Sequence, residues 1–467
     1  MSIDKTRRQS LIGLTAAPTA LYLAGCSDSA NPQAEPHQSF ATPPKLEGLL
    51  VNRDRGYEIM RSKQVDALIC TRPENIYYLT NYNPQLAKMG LQNLCFAILP
   101  LDQNAKPILI LGQFEYYLAG VENIPLNEVD VRLFTFPADP SFSPDDMSLE
   151  NQLTAKAFES IIPATHKNHA LSQSEKLKRK RALELTSEPG VNSELTLIKA
   201  IKALPAEFKR LAIDSDELAK PFKKAEMDFS YANGDQILRD IRLQKTKNEI
   251  DIMRFSARAN AEAGLAAAMK VRAGASLSDV RQAYYQECFK RHLKPSFIIV
   301  DGNASEFSDD KIVEGRSFLI DCVSSGLGYH GDYGRTVCLG EPTKEIRKAT
   351  DAISNVWEKV LPELKPGITY QDIQQFAAKI FKEKPSDAGL NCNPHSVGLR
   401  HTDEPSLNYS NYFTKSNLTL MEGMVLSIDL PMVETGLGGS AHLEDLVLIT
   451  KDGAELLNDG GDQVIIV

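Results

Sequence analysis

One stretch constrains this chain more than any other. Residues 318–336 read FLIDCVSSGLGYHGDYGRT. The run from Ser317 to Ile320 delivers an acid, Asp321. A glycine-rich turn follows, and a second acid, Asp332, precedes Arg335 and Thr336. Apolar residues around a lone acid fit a strand that ends at a site, and the glycine-rich turn fits a hairpin that returns the chain beside it. Two carboxylates on adjacent strands can converge on one point, and hard oxygen ligands of that kind suit divalent metals. Two hairpin-end acids facing water fit the same pattern, so the stretch needs partners elsewhere before it means a site.

The chain has 467 residues, enough for two or three domains with their own cores. With 42% apolar and 24% charged residues it reads as globular, and a net charge of −9 offers no basic footprint for nucleic acid. The one basic run, Lys176–Arg181, reads as a solvated helical face. The cysteines (Cys26, Cys70, Cys95, Cys288, Cys322, Cys338 and Cys392) stand singly, without C-x-x-C spacing, which argues against a cysteine-type zinc site. Cys322 and Cys338, near the two acids, read as buried strand thiols.

At the N-terminus, Thr6-Arg7-Arg8-Gln9-Ser10-Leu11 resembles a twin-arginine export signal and Leu23-Ala24-Gly25-Cys26 resembles a lipobox. The apolar stretch from Leu11 to Ala24 is too short to span a bilayer comfortably. In this reading residues 1–26 are a signal peptide, Cys26 becomes a lipidated N-terminus, and the polar, proline-rich residues 27–44 are a disordered tether. Two acyl chains suffice for stable anchoring. The expectation is export through the twin-arginine route and a lipid anchor in the cell envelope, on its periplasmic side. An ordinary signal peptide or an unprocessed helix is the plainer alternative.

Residues 45–235 read as one α/β domain. Arg53–Lys63 has helical periodicity, Val65–Cys70, Asn75–Leu79, Cys95–Leu99, Pro107–Leu111 and Arg210–Asp214 read as strands, and Leu195–Leu204 reads as a helix. Residues 136–195 are polar and read as a surface insertion. No phosphate-binding loop or dinucleotide glycine fingerprint occurs. The boundary falls near Asn233-Gly234, and residues 236–467 form the second domain. There Thr246 and Glu249 spell a capping box at the head of a long helix, with Ile250, Met253, Ala257, Ala261 and Leu265 on one stripe and Gly274 as its stop. Leu277–Lys290, Glu345–Val360 and Gln371–Lys382 read as further helices, and Pro295–Val300 as a strand. Acids then recur on strands: Met421–Pro431 carries Asp429, and Ala441–Leu448 carries His442, Glu444 and Asp445. Helices followed by acid-bearing strands thus occur twice, as two related halves around a shared site would.

These residues resemble the pita-bread metallopeptidases: Xaa-Pro aminopeptidase, prolidase, methionine aminopeptidase and creatinase. Pro73-Glu74-Asn75-Ile76-Tyr77-Tyr78-Leu79 is similar to the P-E-N-I-x-Y-L signature of the creatinase/prolidase N-terminal domain, and Asp321, Asp332, His395, Asp429, Glu444 follow the order of the family's five ligands. The resemblance covers residues 45–467. It implies an α/β creatinase/prolidase-like N-terminal domain plus an α+β pita-bread C-terminal domain with pseudo-two-fold halves. It also implies two divalent ions bridged by Asp332 and Glu444, with His395 and Asp429 completing one and Asp321 chelating the other. Four carboxylates with one imidazole favour Mn²⁺, with Co²⁺, Fe²⁺ or Zn²⁺ as alternatives. The implied reaction is hydrolysis of short Xaa-Pro peptides by a hydroxide between ions ~3.5 Å apart. His401 or Glu404 would help proton transfer, and the implied assembly is a homodimer.

Five positions depart from the family pattern. Asp429 stands where the family has Glu, a carboxylate shorter by one C–C bond. Thr402 stands where peptidase members carry His, with His401 beside it. Ser308 stands where another His follows the turn at Asn303. His442 replaces an Arg, and Gly334 replaces a hydroxyl residue. His442 is expected to orient a ligand or contact substrate, unless it is a plain strand histidine. These changes keep open two other readings: a different enzyme on the same scaffold, creatinase-like or a lyase, and an inactive binding homologue.

Overall fold

The structure, a computed structural model, describes residues 40–119, 127–135, 170–185, 190–308, 310–433, 436–458 and 461–467. The export signal, most of the tether and most of the 136–195 insertion lie outside these residues. The first domain is built on six strands: β1 (Ala67–Cys70), β2 (Cys95–Pro100), β3 (Ile108–Gly112), β4 (Asp130–Phe134), β5 (Arg210–Ile213) and β6 (Ser230–Asn233). They form a mixed sheet in the order β4-β3-β2-β1-β5-β6. Alternate side chains serve two cores. Leu68, Leu99, Leu109 and Leu111 pack with Tyr57, Met60 and Ile241 on one face, while Ile69, Ile98, Ile110 and Ile213 pack with Leu197, Ile198 and Phe222 on the other. A strand buried on both faces reads as an unbroken apolar run, which is why these segments stand out in the sequence.

The segment Asn75–Leu79 is not a strand. It belongs to a helix, Pro73–Thr80, with Pro73 in its first turn and Asn81 closing it in the left-handed conformation, φ 58°. The fixed φ of proline suits the first helical turn, where its missing N–H costs nothing. Ile76, Tyr78 and Leu79 then turn into the core, a helical burial that their β-favouring side chains conceal.

The second domain carries β7 (Lys294–Val300), β8 (Ser317–Gly326), β9 (Tyr329–Cys338), β10 (Asn393–Ser396), β11 (Val425–Met432) and β12 (Ala441–Ile449). Their order is β10-β11-β12-β9-β8-β7, with two further short strands, Ala454–Leu456 on β12 and Val464–Ile466 on β9, so the eight-stranded sheet divides into two four-strand halves that meet where β12 faces β9. Each half has its own core of helices on one face. The helices Lys247–Ala268 and Leu277–Lys290 cover Ile320, Cys322, Tyr333 and Val337, and the helices Lys344–Val360 and Tyr370–Glu383 cover Leu426, Ile428, Leu430 and Leu443. The architecture is the two-domain fold with pseudo-two-fold halves expected above. The opposite face of the sheet, free of helices from these pairs, receives the acids. Cys322 and Cys338 are both buried free thiols, and Cys322 belongs to the core of the first half.

The long helix differs in two details. Its capping box at Thr246 and Glu249 is present, but it ends at Ala268, before Gly274. Its expected stripe holds at Met253, Ala257 and Ala261, which are buried, and at Ile250, which packs on the core, but Leu265 is 40% exposed and the burial widens to Ile252, Ala259, Ala263 and Ala267. A helix wedged between two cores cannot keep one straight stripe.

Small residues let this helix lie close to the hairpin that carries Asp321 and Asp332. A Cβ on Gly331 would come within 2.6 Å of the Ser256 carbonyl oxygen. Gly331→Ala is therefore expected to destabilise the fold by about 2 kcal/mol, within the range for overpacking. A lowered denaturant midpoint at unchanged m-value checks it.

Candidate metal centre

The β8–β9 hairpin turns at Leu327 and Gly328, both at positive φ (47° and 86°), the two-residue geometry that matches strand twist. That turn sets the register, and the register sets the site. Asp321 faces Gly334, Gly334 faces Glu444, and Glu444 faces Asp429, forming one row across β8, β9, β12 and β11. The adjacent row brings Asp332 opposite Val323 and His395 opposite Ser427. Side chains two apart on a strand share a face, so His442 joins Glu444 and Ser427 joins Asp429. Five strands, distant in sequence, thus place Asp321, Asp332, His395, Asp429, His442 and Glu444 on the helix-free side of the sheet.

Among the described residues two groups of donors emerge. Donor atoms of Asp332, His395 and His401 lie within 4.8 Å of one another, and so do those of Asp321, His442 and Glu444. His395 Nε2 lies 3.7 Å from Asp332 Oδ2 and 3.8 Å from Glu444 Oε1, linking the groups. His401 Nε2 is 3.1 Å from Asp332 Oδ2. Its ring sits 4.8 Å from that of His395 and meets Phe297 edge-on at 5.3 Å. Thr402 is beside it, with Oγ1 3.3 Å from His401 Nδ1. Of the two neighbours, His401 is the one that faces the acids. Asp429 joins neither group; its Oδ1 lies 3.6 Å from His442 Nδ1.

The cluster is electrostatically incomplete. Asp321 Oδ1, both oxygens of Asp332, His395 Nδ1 and His442 Nδ1 are buried without hydrogen-bond partners. Burial and the neighbouring Glu444 push the Asp321 and Asp332 carboxyls well above their usual range. The same two causes raise Asp429 to about 6. Burial works against the charge of His442, but the hydrogen bond to Glu444 and the surrounding carboxylates hold it at about 9. Burial likewise opposes ionisation of Glu444, yet His395 and His442 hold it well below the usual range. Carboxylates buried this close either take up protons or hold cations between them. The chemistry of the donors and the orphaned atoms both fit divalent ions.

Glu404 lies outside both groups. Its Oε2 accepts hydrogen bonds from the Ser396 N–H and the Tyr370 hydroxyl, both 2.9 Å, which fixes the backbone next to His395. Ser308 bonds Asp310 on a surface turn. Two groups were missed by sequence reasoning. Ser427 donates to Glu444 Oε1, and only its alternation with Asp429 on β11 hints at this. Lys245 Nζ donates to Ser396 Oγ at 3.1 Å, with no signal in the sequence.

The loop bearing His401 is clamped by the helix Gly234–Leu243 at the domain boundary together with residues of the first domain. Arg242 makes paired bonds of 2.8 and 2.9 Å to Asp403 and a third, 2.9 Å, to Asn75 Oδ1. Arg400 reaches Glu74 and Asp235, and Arg239 donates to the carbonyl oxygen of Thr402 at 3.1 Å. Glu74 and Asn75 of the helix Pro73–Thr80 thus hold the segment that aims His401.

Comparison with known proteins agrees with this architecture. Residues 251–451 match the model of metallopeptidase family M24, and residues 53–138 match that of the creatinase/prolidase N-terminal domain. A protein named Xaa-Pro dipeptidase from Pyrococcus furiosus is 29% identical over 252 residues, 52% of this chain and 71% of the relative. A probable dipeptidase PepE from Mycobacterium tuberculosis is 25% identical over 240 residues, 50% of this chain and 62% of that one. Among solved structures, the prolidase from Pyrococcus furiosus superposes with a TM-score of 0.59 at 21% identity, covering 87% of this chain and all of that one (100%). The Xaa-Pro dipeptidase from Bacillus anthracis gives 0.60 at 16% identity, covering 89% and 98%.

Proposed function

We propose that this chain, in which a family M24 metallopeptidase domain follows a creatinase/prolidase N-terminal domain, is a metal-dependent peptidase that cleaves the Xaa-Pro bond of short peptides. The observation that carries the reading is the paired donor groups on one sheet face, with their buried, partnerless oxygen and nitrogen atoms. The Xaa-Pro dipeptidases among the relatives support the substrate class.

Asp321, Asp332, His395 and Glu444 would hold two divalent ions, which polarise a scissile carbonyl and make water nucleophilic near neutral pH. Ser427 fixes one oxygen of Glu444 through its hydroxyl. His401 has 33% of its side chain open, against 10% for His395 and 2% for His442, and stands at the mouth of the cluster. Thr402 and Phe297 hold its ring with Nε2 toward Asp332, where it can pass a proton to the departing proline nitrogen. Glu404 supports His395 through the Ser396 backbone with Oε2, and its Oε1 is left without a hydrogen-bond partner among the described residues. Mn²⁺ follows from an oxygen-rich set, while the extra imidazoles here also suit Co²⁺, Fe²⁺ and Zn²⁺.

The test is turnover of Xaa-Pro dipeptides and Xaa-Pro-Xaa peptides with each of these ions. We expect activity that a chelator abolishes and added metal restores. Bound metal without turnover on any such peptide would sink the reading in favour of another chemistry or a binding role. The same proposal places the enzyme in the cell envelope, anchored at Cys26, on the strength of the two N-terminal motifs. Cys26→Ala should then release it into the soluble fraction, and continued membrane partition would refute the anchor.

A further inference from the structure

Three of the departures from the family pattern, Gly334, Asp429 and His442, are far apart in sequence but form one cluster in space. Gly334 lies between Asp321 and Glu444 in the row across the sheet. A Cβ built at this position would come within 2.1 Å of both Cδ2 and Nε2 of His442, and within 2.8 Å of the Glu444 Cβ. No left-handed backbone conformation explains the glycine, since its φ lies outside that region. Its missing side chain is instead the space that the imidazole occupies. Any larger residue at 334 excludes the ring from its present position.

The ring is also oriented. Nε2 lies 3.1 Å from Glu444 Oε2, and the side chain is 2% exposed. Together with Asp321 and Glu444 it forms one of the two donor groups. Nδ1, on the far side of the ring, has no hydrogen-bond partner and faces Asp429 Oδ1 at 3.6 Å. Asp429 belongs to neither donor group. Being one methylene shorter than glutamate, its carboxylate stops at the outer edge of the imidazole. A ligating histidine commonly has a carboxylate on its other ring nitrogen, which fixes the tautomer and raises ligand basicity.

We propose that His442 binds metal through Nε2, in the space left open by Gly334, and that Asp429 is no longer a ligand but the positioning residue on Nδ1. The centre then trades a carboxylate oxygen for an imidazole nitrogen and shifts that ligand from one ion to the other. The Asp321–Glu444 side gains a nitrogen, and the His395 side loses the oxygen that a longer carboxylate would supply. The inference rests on the reading that this cluster holds divalent ions. It adds which residues hold them, and it predicts an ion preference displaced from Mn²⁺ toward Co²⁺, Fe²⁺ and Zn²⁺, which bind imidazole more strongly.

The experiment measures metal binding, not turnover. Full-length apoprotein is titrated with Co²⁺, following the visible absorption of the bound ion and the stoichiometry after dialysis. Exchangeable imidazole N–H protons shifted by Co²⁺ are counted in the proton NMR spectrum. For the wild type we expect two ions and shifted N–H signals from more than one histidine. His442→Asn should weaken one ion about 100-fold, alter its absorption and remove one shifted signal. Gly334→Ala leaves every ligand residue in the chain and should reproduce the same loss by displacing the ring. Asp429→Asn should keep both ions, weaken the same one about 10-fold and move the remaining signals. Melting of the apoproteins separates these effects from misfolding, and the wild-type signal count does not depend on any variant folding. Two ions bound by His442→Asn with wild-type affinity and spectrum would overturn the ligand assignment while leaving the peptidase reading intact. Loss of an ion in Asp429→Asn as complete as in Asp332→Asn would return Asp429 to the ligand set and also overturn it. A wild type that binds no metal would overturn both proposals.

Discussion

Asp332→Asn is expected to lower kcat/KM for an Xaa-Pro peptide by about 10³-fold or more, which is ~4 kcal/mol of transition-state stabilisation. Asp332 is fully buried, and both of its oxygens lack hydrogen-bond partners. Its Oδ2 is approached by His395 at 3.7 Å and His401 at 3.1 Å. It therefore has no structural hydrogen bond to lose, and asparagine fits its space. The variant should fold, release at least one ion and lose activity together. Its metal-free form should have a higher denaturation midpoint than metal-free wild type, because one buried like charge is gone from beside Glu444. Metal should reverse that ranking, since an ion at a hundred times its Kd adds about 2.7 kcal/mol to a protein that binds it. A variant that keeps both ions and full activity would remove Asp332 from the centre.

The same crowding sets a pH dependence for metal-free wild type. Asp429 has its carboxyl raised to about 6 in the folded state by burial and the neighbouring Glu444. A group raised on folding contributes stability below its unfolded value, near 4, and that contribution is lost as pH rises through about 6. Asp321 and Asp332 are shifted in the same direction. Glu444 is depressed, so its contribution is present at neutral pH and declines only in acid. Metal-free protein should accordingly melt lower at pH 7 than at pH 5, and saturating metal should flatten or invert that difference. Differential scanning calorimetry at the two pH values checks the sign.

Much of this centre can be read from the sequence because a strand is a local object. Asp321 and Asp332 are joined by a two-residue turn, so their pairing needs nothing beyond the hairpin. Apolar runs locate β1, β2, β3 and β5 because both faces of that sheet are covered. Relations between distant strands are a different matter. Gly334, Asp429 and His442 look like three separate departures, because no spacing within a strand says that β9 and β11 flank β12. The helix Pro73–Thr80 is hidden from the sequence for a related reason. Its isoleucine and tyrosines carry strand propensity, and only tertiary burial of one helical face decides the outcome. The surroundings of Glu404 are equally hidden from the sequence: its Oε2 accepts from Ser396 and Tyr370, while Oε1 is buried without a hydrogen-bond partner among the described residues.

Arg242→Met should destabilise the protein by about 3–5 kcal/mol, the usual result of removing one member of a buried ion pair. Arg242 and Asp403 are both inaccessible to solvent, and their paired bonds are 2.8 and 2.9 Å. Burial pushes the Asp403 carboxyl up, but Arg242 outweighs it and holds the group below its usual range. Without the guanidinium, Asp403 is a buried charge whose remaining bond comes from the Leu399 N–H, 3.1 Å away. Stability given by a depressed carboxyl is present above its unfolded value near 4 and lost in acid. The deficit of Arg242→Met should therefore be full at pH 7 and shrink below pH 4. Asp403→Asn in the Arg242→Met background should recover part of the loss at pH 7, because it removes the stranded charge, and a double-mutant cycle measures the coupling. The consequence for activity follows from position. Asp403 is two residues from His401, and Arg242 also holds Asn75 of the first domain. A loosened clamp should disturb the placement of His401 while Asp321, Glu444 and His442 keep their strand register. Folded Arg242→Met is thus expected to retain the ion on the Asp321 side and lose turnover, so that stability and catalysis fail together while metal binding on that side does not.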